Sequence, residues 1–245
     1  MFIIQAVLYV AHGSRLKEGV QEAKEFISKQ IDRISAPIQL ISFIELQPPL
    51  VEAGIEQCVL QGATHIVVVS ILLLEAGHAK HDLPMEIERA KRKYPHVTFS
   101  YGRPFGVQES IIDTLVDRIE EEHDITEDAR VLIVGRGSTD TSIRSDFKNI
   151  KELLNERINV SSINVCYIAA QNPTLEEGLQ KEVKSGAKCI FIVPYLLFTG
   201  LLMLHLEKKV QETQAPEQTL ILCQNIGWNE KISKFFVEHV NKKLR

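Results

Sequence analysis

Val7-Leu8-Tyr9-Val10-Ala11-His12-Gly13-Ser14 recurs 124 residues later as Val131-Leu132-Ile133-Val134-Gly135-Arg136-Gly137-Ser138. The same offset carries Glu45-Leu46-Gln47-Pro48-Pro49 onto Ala169-Ala170-Gln171-Asn172-Pro173. It also carries Glu52 onto Glu176, Gly54 onto Gly178, and Gly62-Ala63 onto Gly186-Ala187. After a one-residue deletion Gly77-His78 falls on Gly200-Leu201, and Gly106 and Glu109 match Gly227 and Glu230 at an offset of 121. An ordered series of matches at nearly constant spacing marks a duplication followed by fusion.

Working outward, each half reads as four strand–helix units. Apolar, β-branched runs in the first half are Val7–Ala11, Ile38–Ile44, Ile66–Ile71 and Val97–Tyr101. Their counterparts are Val131–Val134, Ile163–Ala169, Cys189–Val193 and Thr219–Cys223. Amphipathic stretches separate them, such as Leu16–Ile34 with Val20, Ala23, Ile27, Ile31 and Ile34 at helical spacing. Continuous apolar strands alternating with helices predict parallel sheets covered on both faces. The fold expected is α/β: two duplicated, doubly wound, four-stranded parallel-sheet domains related by a pseudo-two-fold axis and facing a central cleft. The domain boundary is expected in the charged stretch Glu120–Asp128, giving domains 1–123 and 124–245.

Composition bounds the function. At 245 residues, with 44% hydrophobic and 24% charged, the chain has the balance of a soluble globular protein. A formal charge of −4 gives no reason to expect nucleic acid as a partner, although a local basic rim for an anionic small ligand is compatible with it. The four cysteines, Cys58, Cys166, Cys189 and Cys223, form no C-x-x-C pair, which argues for buried free thiols in a reducing compartment. Met1–Val10 lacks a basic n-region and runs straight into a turn, so it reads as a strand and not a signal peptide. No apolar run approaches the roughly 20 residues of a spanning helix, so no membrane partner is expected. The expectation is a cytoplasmic monomer.

His12 follows the first strand, Glu45 ends the second and His78 follows the third. In an open parallel sheet these positions share the carboxyl edge, where such folds bind ligands. Two neutral imidazoles and a carboxylate suit a borderline divalent metal such as Fe(II), Co(II), Ni(II) or Zn(II). So small a ligand set leaves positions open, as catalysis or metal transfer requires.

Three segments then carry a resemblance: Ala11-His12-Gly13-Ser14, Phe43-Ile44-Glu45-Leu46-Gln47-Pro48-Pro49, and Leu73-Leu74-Glu75-Ala76-Gly77-His78-Ala79-Lys80-His81-Asp82-Leu83-Pro84. In order, and inside a duplication, they resemble the motifs of the CbiX/SirB-type sirohydrochlorin chelatases, in particular the long, fused members of that class II chelatase group. The resemblance covers nearly the whole chain. It implies a macrocycle bound between the halves, His12 and His78 as the metal-handling and proton-accepting pair, and Glu45 assisting. The function it implies is ferrous insertion into sirohydrochlorin to give siroheme. Cobalt insertion is the near alternative and nickel a more distant one, with the metal a substrate and no permanently bound cofactor. A metal or tetrapyrrole carrier needs only tight binding, and turnover separates it from an enzyme. A two-lobed periplasmic-type receptor is disfavoured because no signal peptide is read.

In the second half His12 becomes Arg136, Glu45 becomes Ala169 and His78 becomes Leu201, while the neighbouring glycines and Pro173 remain. One site per chain is expected, with Arg136 positioned to meet a substrate carboxylate. Leu201-Leu202-Met203-Leu204 either faces the macrocycle or packs in a core. Lys80 and Arg103 follow strand ends and are candidate substrate contacts, against the alternative of solvated charge. Ser14 opens a helix and either helps hold an anionic side chain or acts as an N-cap. His81 is expected beside Asp82, with Asp82 capping a helix that has Pro84 in its first turn. His65, His96, His123, His205 and His239 read as surface, edge or packing residues.

Overall fold

The computed structural model describes residues 3–75, 80–213 and 217–244. The first half comprises β1 (Gln5–Ala11), α1 (Lys17–Ser28), β2 (Ile38–Phe43), α2 (Val51–Leu60), β3 (His65–Ile71), α3 (Asp82–Lys93), β4 (Thr98–Gly102) and α4 (Glu109–Glu120). The second comprises β5 (Arg130–Gly135), α5 (Ile143–Asn155), β6 (Ser162–Tyr167), α6 (Leu175–Lys184), β7 (Cys189–Tyr195), α7 (Leu201–Thr213), β8 (Thr219–Leu222) and α8 (Glu230–Asn241). The two sheets run β2-β1-β3-β4 and β6-β5-β7-β8. Every pairing is parallel. Both the duplication and the parallel, doubly wound architecture expected from the repeat are therefore present.

Burial explains why the strands read as unbroken apolar runs. Ala6 to Ala11 of β1 are all buried, because helices cover both faces of the sheet. On one face Leu8 and Val10 pack with Val51, Ile55 and Cys58 of α2 and Leu83, Ile87 and Ala90 of α3. On the other, Phe236 of α8 stands against Tyr9 (ring centroids 5.9 Å) and Phe26 of α1 (5.3 Å). In the second sheet Leu132 and Val134 pack with Leu175 and Leu179 of α6 and Met203, Leu206 and Val210 of α7. Its opposite face carries Phe147 of α5 against Tyr167 and Tyr195.

The compact units in space differ from the repeats in sequence. One unit is the chain up to Gly106 together with that from Ser233 onward; the other is Val107–Ile232. The last helix of each repeat thus completes the other repeat's unit. Ile111, Ile112, Leu115 and Ile119 bury the apolar side of α4 within the second unit. Polar contacts fix it there. Arg157 donates to Asp113 at 2.6 Å and pairs with Glu109, and the Arg118 guanidinium donates to the Asn225 and Ile226 carbonyls at 3.0 Å.

The helix expected over Leu16–Ile34 ends at Ser28. The carboxamide of Gln39 on β2 donates to the Ile31, Ile34 and Ala36 carbonyls, each at 3.1 Å. Ser233 of α8 donates to Gln30 at 2.5 Å. These contacts, one of them from 203 residues away, hold 31–33 as a 3-10 turn. Among the described residues no helix is long and apolar enough to cross a membrane.

Candidate active site at the carboxyl edge of the first sheet

β1 ends at Ala11, and the chain turns through His12-Gly13-Ser14 before α1. β2 ends at Phe43, and its continuation stays stitched to that turn. Ile44 N–H donates to the Ala11 carbonyl at 2.9 Å and Glu45 N–H to the His12 carbonyl at 3.1 Å. The Gln47 side-chain amide donates to the Ser14 carbonyl at 3.0 Å. Gly13 has φ +98°, and a Cβ there would lie 2.0 Å from the Glu45 carbonyl oxygen. Only glycine permits so close an approach in that backbone region. Leu46 is also left-handed, at φ 68°, a conformation seldom held by a non-glycine residue without a surrounding framework.

This framework brings His12 Nδ1 to 3.7 Å from Glu45 Oε1. The separation is longer than a hydrogen bond. It is close to the roughly 3.4 Å between two ligands of one tetrahedral ion bound at about 2.1 Å. The side chains retain 28% and 43% exposure, so an ion and its shed waters can reach them.

The third member of the constellation, His78, lies outside the described residues. Among the described residues no group of three or more histidines, cysteines or carboxylates is placed to hold a metal. Cys58 and Cys166 lie in the buried apolar cores of the two units, and burial pushes their thiols up to about 12.

The remaining candidates spread along the same edge. Half-buried Lys80 follows β3 and exposed Arg103 follows β4. β4 lies two strands from β1, about 10 Å at the usual strand spacing. The Ser14 hydroxyl accepts from Leu16 N–H at 3.1 Å, but the residue preceding α1 is Leu16, so Ser14 is not its N-cap. Asp82 likewise is the first residue of α3 and not its cap. His81 takes the cap position without a side-chain bond, because the helix starts one residue earlier than the Asp-x-Pro spacing suggests. His65 belongs to the opposite, amino end of β3, where it bonds Thr98 and Ser100. Partial burial lowers its pKa.

The second unit repeats the scaffold without the chemistry. Ala169 N–H donates to the Arg136 carbonyl at 3.0 Å, and Gln171 donates its side-chain amide to the Asp140 carbonyl at 3.2 Å. Gly137 has φ +84° and a Cβ there would lie 1.7 Å from the Ala169 oxygen; Ala170 is left-handed at φ 59°. Arg136 is exposed at the end of β5. The Leu201–Leu204 run divides by helical phase: Met203 is buried in the core of its unit, while Leu201 and Leu204 are 51% and 45% exposed. Gln47 is the residue that the constellation alone overlooked. Its signal was present in the alignment, since Gln47 persists as Gln171 where Glu45 becomes Ala169.

Known proteins place the chain. A Priestia megaterium protein named sirohydrochlorin ferrochelatase is 42% identical over 242 residues, spanning 98% of this chain and 91% of its own. A sirohydrochlorin cobaltochelatase of the same organism is 37% identical, spanning 98% and 80%. The crystal structure of the sirohydrochlorin chelatase SirB from Bacillus subtilis subspecies spizizenii, in complex with cobalt, is 41% identical with a TM-score of 0.85. That match covers 98% of this chain and 95% of that one. The CbiX family model matches residues 6–122 and again 130–243. Matched once in each repeat, the chain belongs to the CbiX family.

Proposed function

We propose that the chain is a sirohydrochlorin ferrochelatase, a lyase-type enzyme that inserts Fe(II) into sirohydrochlorin to give siroheme and two protons. The observation that carries this reading is the His12–Glu45 pair, 3.7 Å apart at the carboxyl edge of a parallel sheet. The same backbone scaffold recurs in the second unit with neither group. Full-length similarity to a ferrochelatase supports it further.

Insertion exchanges two pyrrole N–H protons for one dication. In the proposed site His12 and His78 handle the metal and accept those protons. An imidazole with an ordinary pKa of about 6.5 serves either as neutral ligand or as base near neutral pH. Glu45 assists by attracting the dication or by receiving a proton. The metal is a substrate that must leave with the product, so sparse ligation favours turnover over retention. Ser14, Lys80, Arg103 and Arg136 are assigned to the macrocycle's carboxylates. The repeats divide the work: 1–123 carries the metal-handling residues and 124–245, having lost them, contributes substrate contacts. The chain is taken to act as a monomer in the cytoplasm, in keeping with its four free cysteines.

Cobalt insertion is the second reading, favoured by the 37% identity to a cobaltochelatase. Iron is preferred because identity and coverage are both higher for the ferrochelatase of that organism. Purified protein given sirohydrochlorin anaerobically with equal Fe2+ and Co2+ tests both. Preferential siroheme formation is expected. Cobalt product alone would move the assignment to cobaltochelatase, and stoichiometric binding without metallation would leave a carrier.

A further inference from the structure

We infer that Gln47 is a positioning residue for the His12–Glu45 pair, an inference that rests on the functional reading above. Three hydrogen bonds join the 44–47 segment to the 11–14 turn, and two are backbone bonds that any sequence can supply. The third, from the Gln47 amide to the Ser14 carbonyl at 3.0 Å, is the side-chain bond among them. It spans from beyond Glu45 to beyond His12, so it closes a ring of chain that contains both. Between the anchors stands Leu46 at φ 68°, and Gln47 N–H folds back onto the Glu45 carbonyl at 2.8 Å. A left-handed non-glycine residue persists where its surroundings over-determine it. Gln47 supplies that determination from one side, and the contact of Gly13 with the Glu45 carbonyl supplies it from the other. Released from Ser14, the segment is free to relax at Leu46, and the Glu45 side chain loses its fixed distance to His12.

The duplication provides an internal control. Gln171 likewise ties its segment to the turn after the central strand, but at the Asp140 carbonyl (3.2 Å), two residues beyond Ser138, the counterpart of Ser14; it stands beside left-handed Ala170 in a unit with Ala169 where Glu45 would stand. Gln47→Met and Gln171→Met keep side-chain volume and remove the donor. Both are expected to lower thermal stability by similar amounts, since a neutral hydrogen bond contributes similarly in each setting. Function should separate them. Gln47→Met is expected to lower kcat for cobalt insertion about tenfold, as mispositioning by a fraction of an ångström to 1 Å does, with KM for sirohydrochlorin within about twofold. It is also expected to weaken Co2+ binding, read from cobalt absorption without macrocycle, by a similar factor. Gln171→Met should leave kcat and Co2+ affinity within about twofold of the parent chain. Equal effects of the two variants on kcat and Co2+ affinity, whether both null or both large, would overturn the inference. A parent chain that binds Co2+ but does not metallate sirohydrochlorin would remove the functional reading, and the Co2+ arm would still decide the role of Gln47. A parent chain that neither binds nor inserts cobalt overturns both.

Discussion

Replacing His12 by alanine separates the chemistry of the site from the stability of the fold. The imidazole stands 3.7 Å from the Glu45 carboxylate, with 28% and 43% of the two side chains exposed. At the dielectric of water, unit charges at that distance attract by about 1 kcal/mol, and exposed pairs deliver no more than that. For a chain of this size such a loss lowers Tm by about 2–4 °C. The rate carries a larger expected loss. A general base typically contributes 10²–10⁴-fold, and spontaneous insertion masks part of it, so a fall of at least about tenfold is expected. That corresponds to about 1.4 kcal/mol of barrier. The assay is anaerobic insertion followed by the absorbance change of sirohydrochlorin, with circular dichroism on the same samples. His78→Ala should behave alike, and the double variant should be far less than multiplicatively worse, because groups acting as one unit are non-additive. Glu45→Gln distinguishes its two roles: a smaller loss if the carboxylate only attracts the ion, a comparable one if it takes a proton. A folded double variant inserting iron and cobalt at the parent rate would refute the assignment of this site.

Arg136→Ala should weaken sirohydrochlorin binding more than it slows insertion of bound substrate, and an unchanged apparent affinity would remove Arg136 from the substrate contacts. Gly13→Ala and Gly137→Ala should each cost at least about 1–2 kcal/mol in thermal melts, since both glycines are left-handed and a Cβ would meet a carbonyl at 2.0 and 1.7 Å; parent-like stability in either would contradict the close approach. Stability should fall as pH drops below about 6.5, because burial, with Lys243 and Lys242 adding to it, lowers the pKa of His239 on α8. The unfolded chain then binds the proton more readily than the folded one. His239→Gln should flatten that slope in denaturant titrations at pH 5 and 7, and an unaltered slope would assign it to other groups.

Much of this was legible because buried parallel strands write themselves as unbroken apolar runs. Val7–Ala11 and Val131–Val134 announced two central strands, and topology then put His12 and Glu45 at one edge. Residues whose partners lie outside their own periodic segment resisted. Nothing around Ser28 foretells that Gln39 and Ser233 will end the helix there, since its apolar spacing continues through Ile31 and Ile34. The amphipathic patterns of α4 and α8 state which side of each helix is buried but not against which sheet. The expected boundary near residues 120–128 therefore follows the repeat, whereas the chain passes between compact units after Gly106 and Ile232. The Gln47–Ser14 bond follows no periodicity and is set by the fold that brings the two turns together.

The traded terminal helices bear on how such a chain can be cut and inherited. A fragment ending after the first repeat would retain α4, which belongs elsewhere, and lack the helix whose Phe236 covers Tyr9 and Phe26. Two copies of a single-repeat protein can satisfy each other by swapping final helices, a low-cost route to a dimer. Fusion turns that exchange into an intramolecular event and replaces dependence on protein concentration by a fixed effective one. It also frees each copy to diverge, because folding requires from the second repeat its helix and not its ligands. Loss of the histidines and the glutamate from that repeat is then tolerable to the fold.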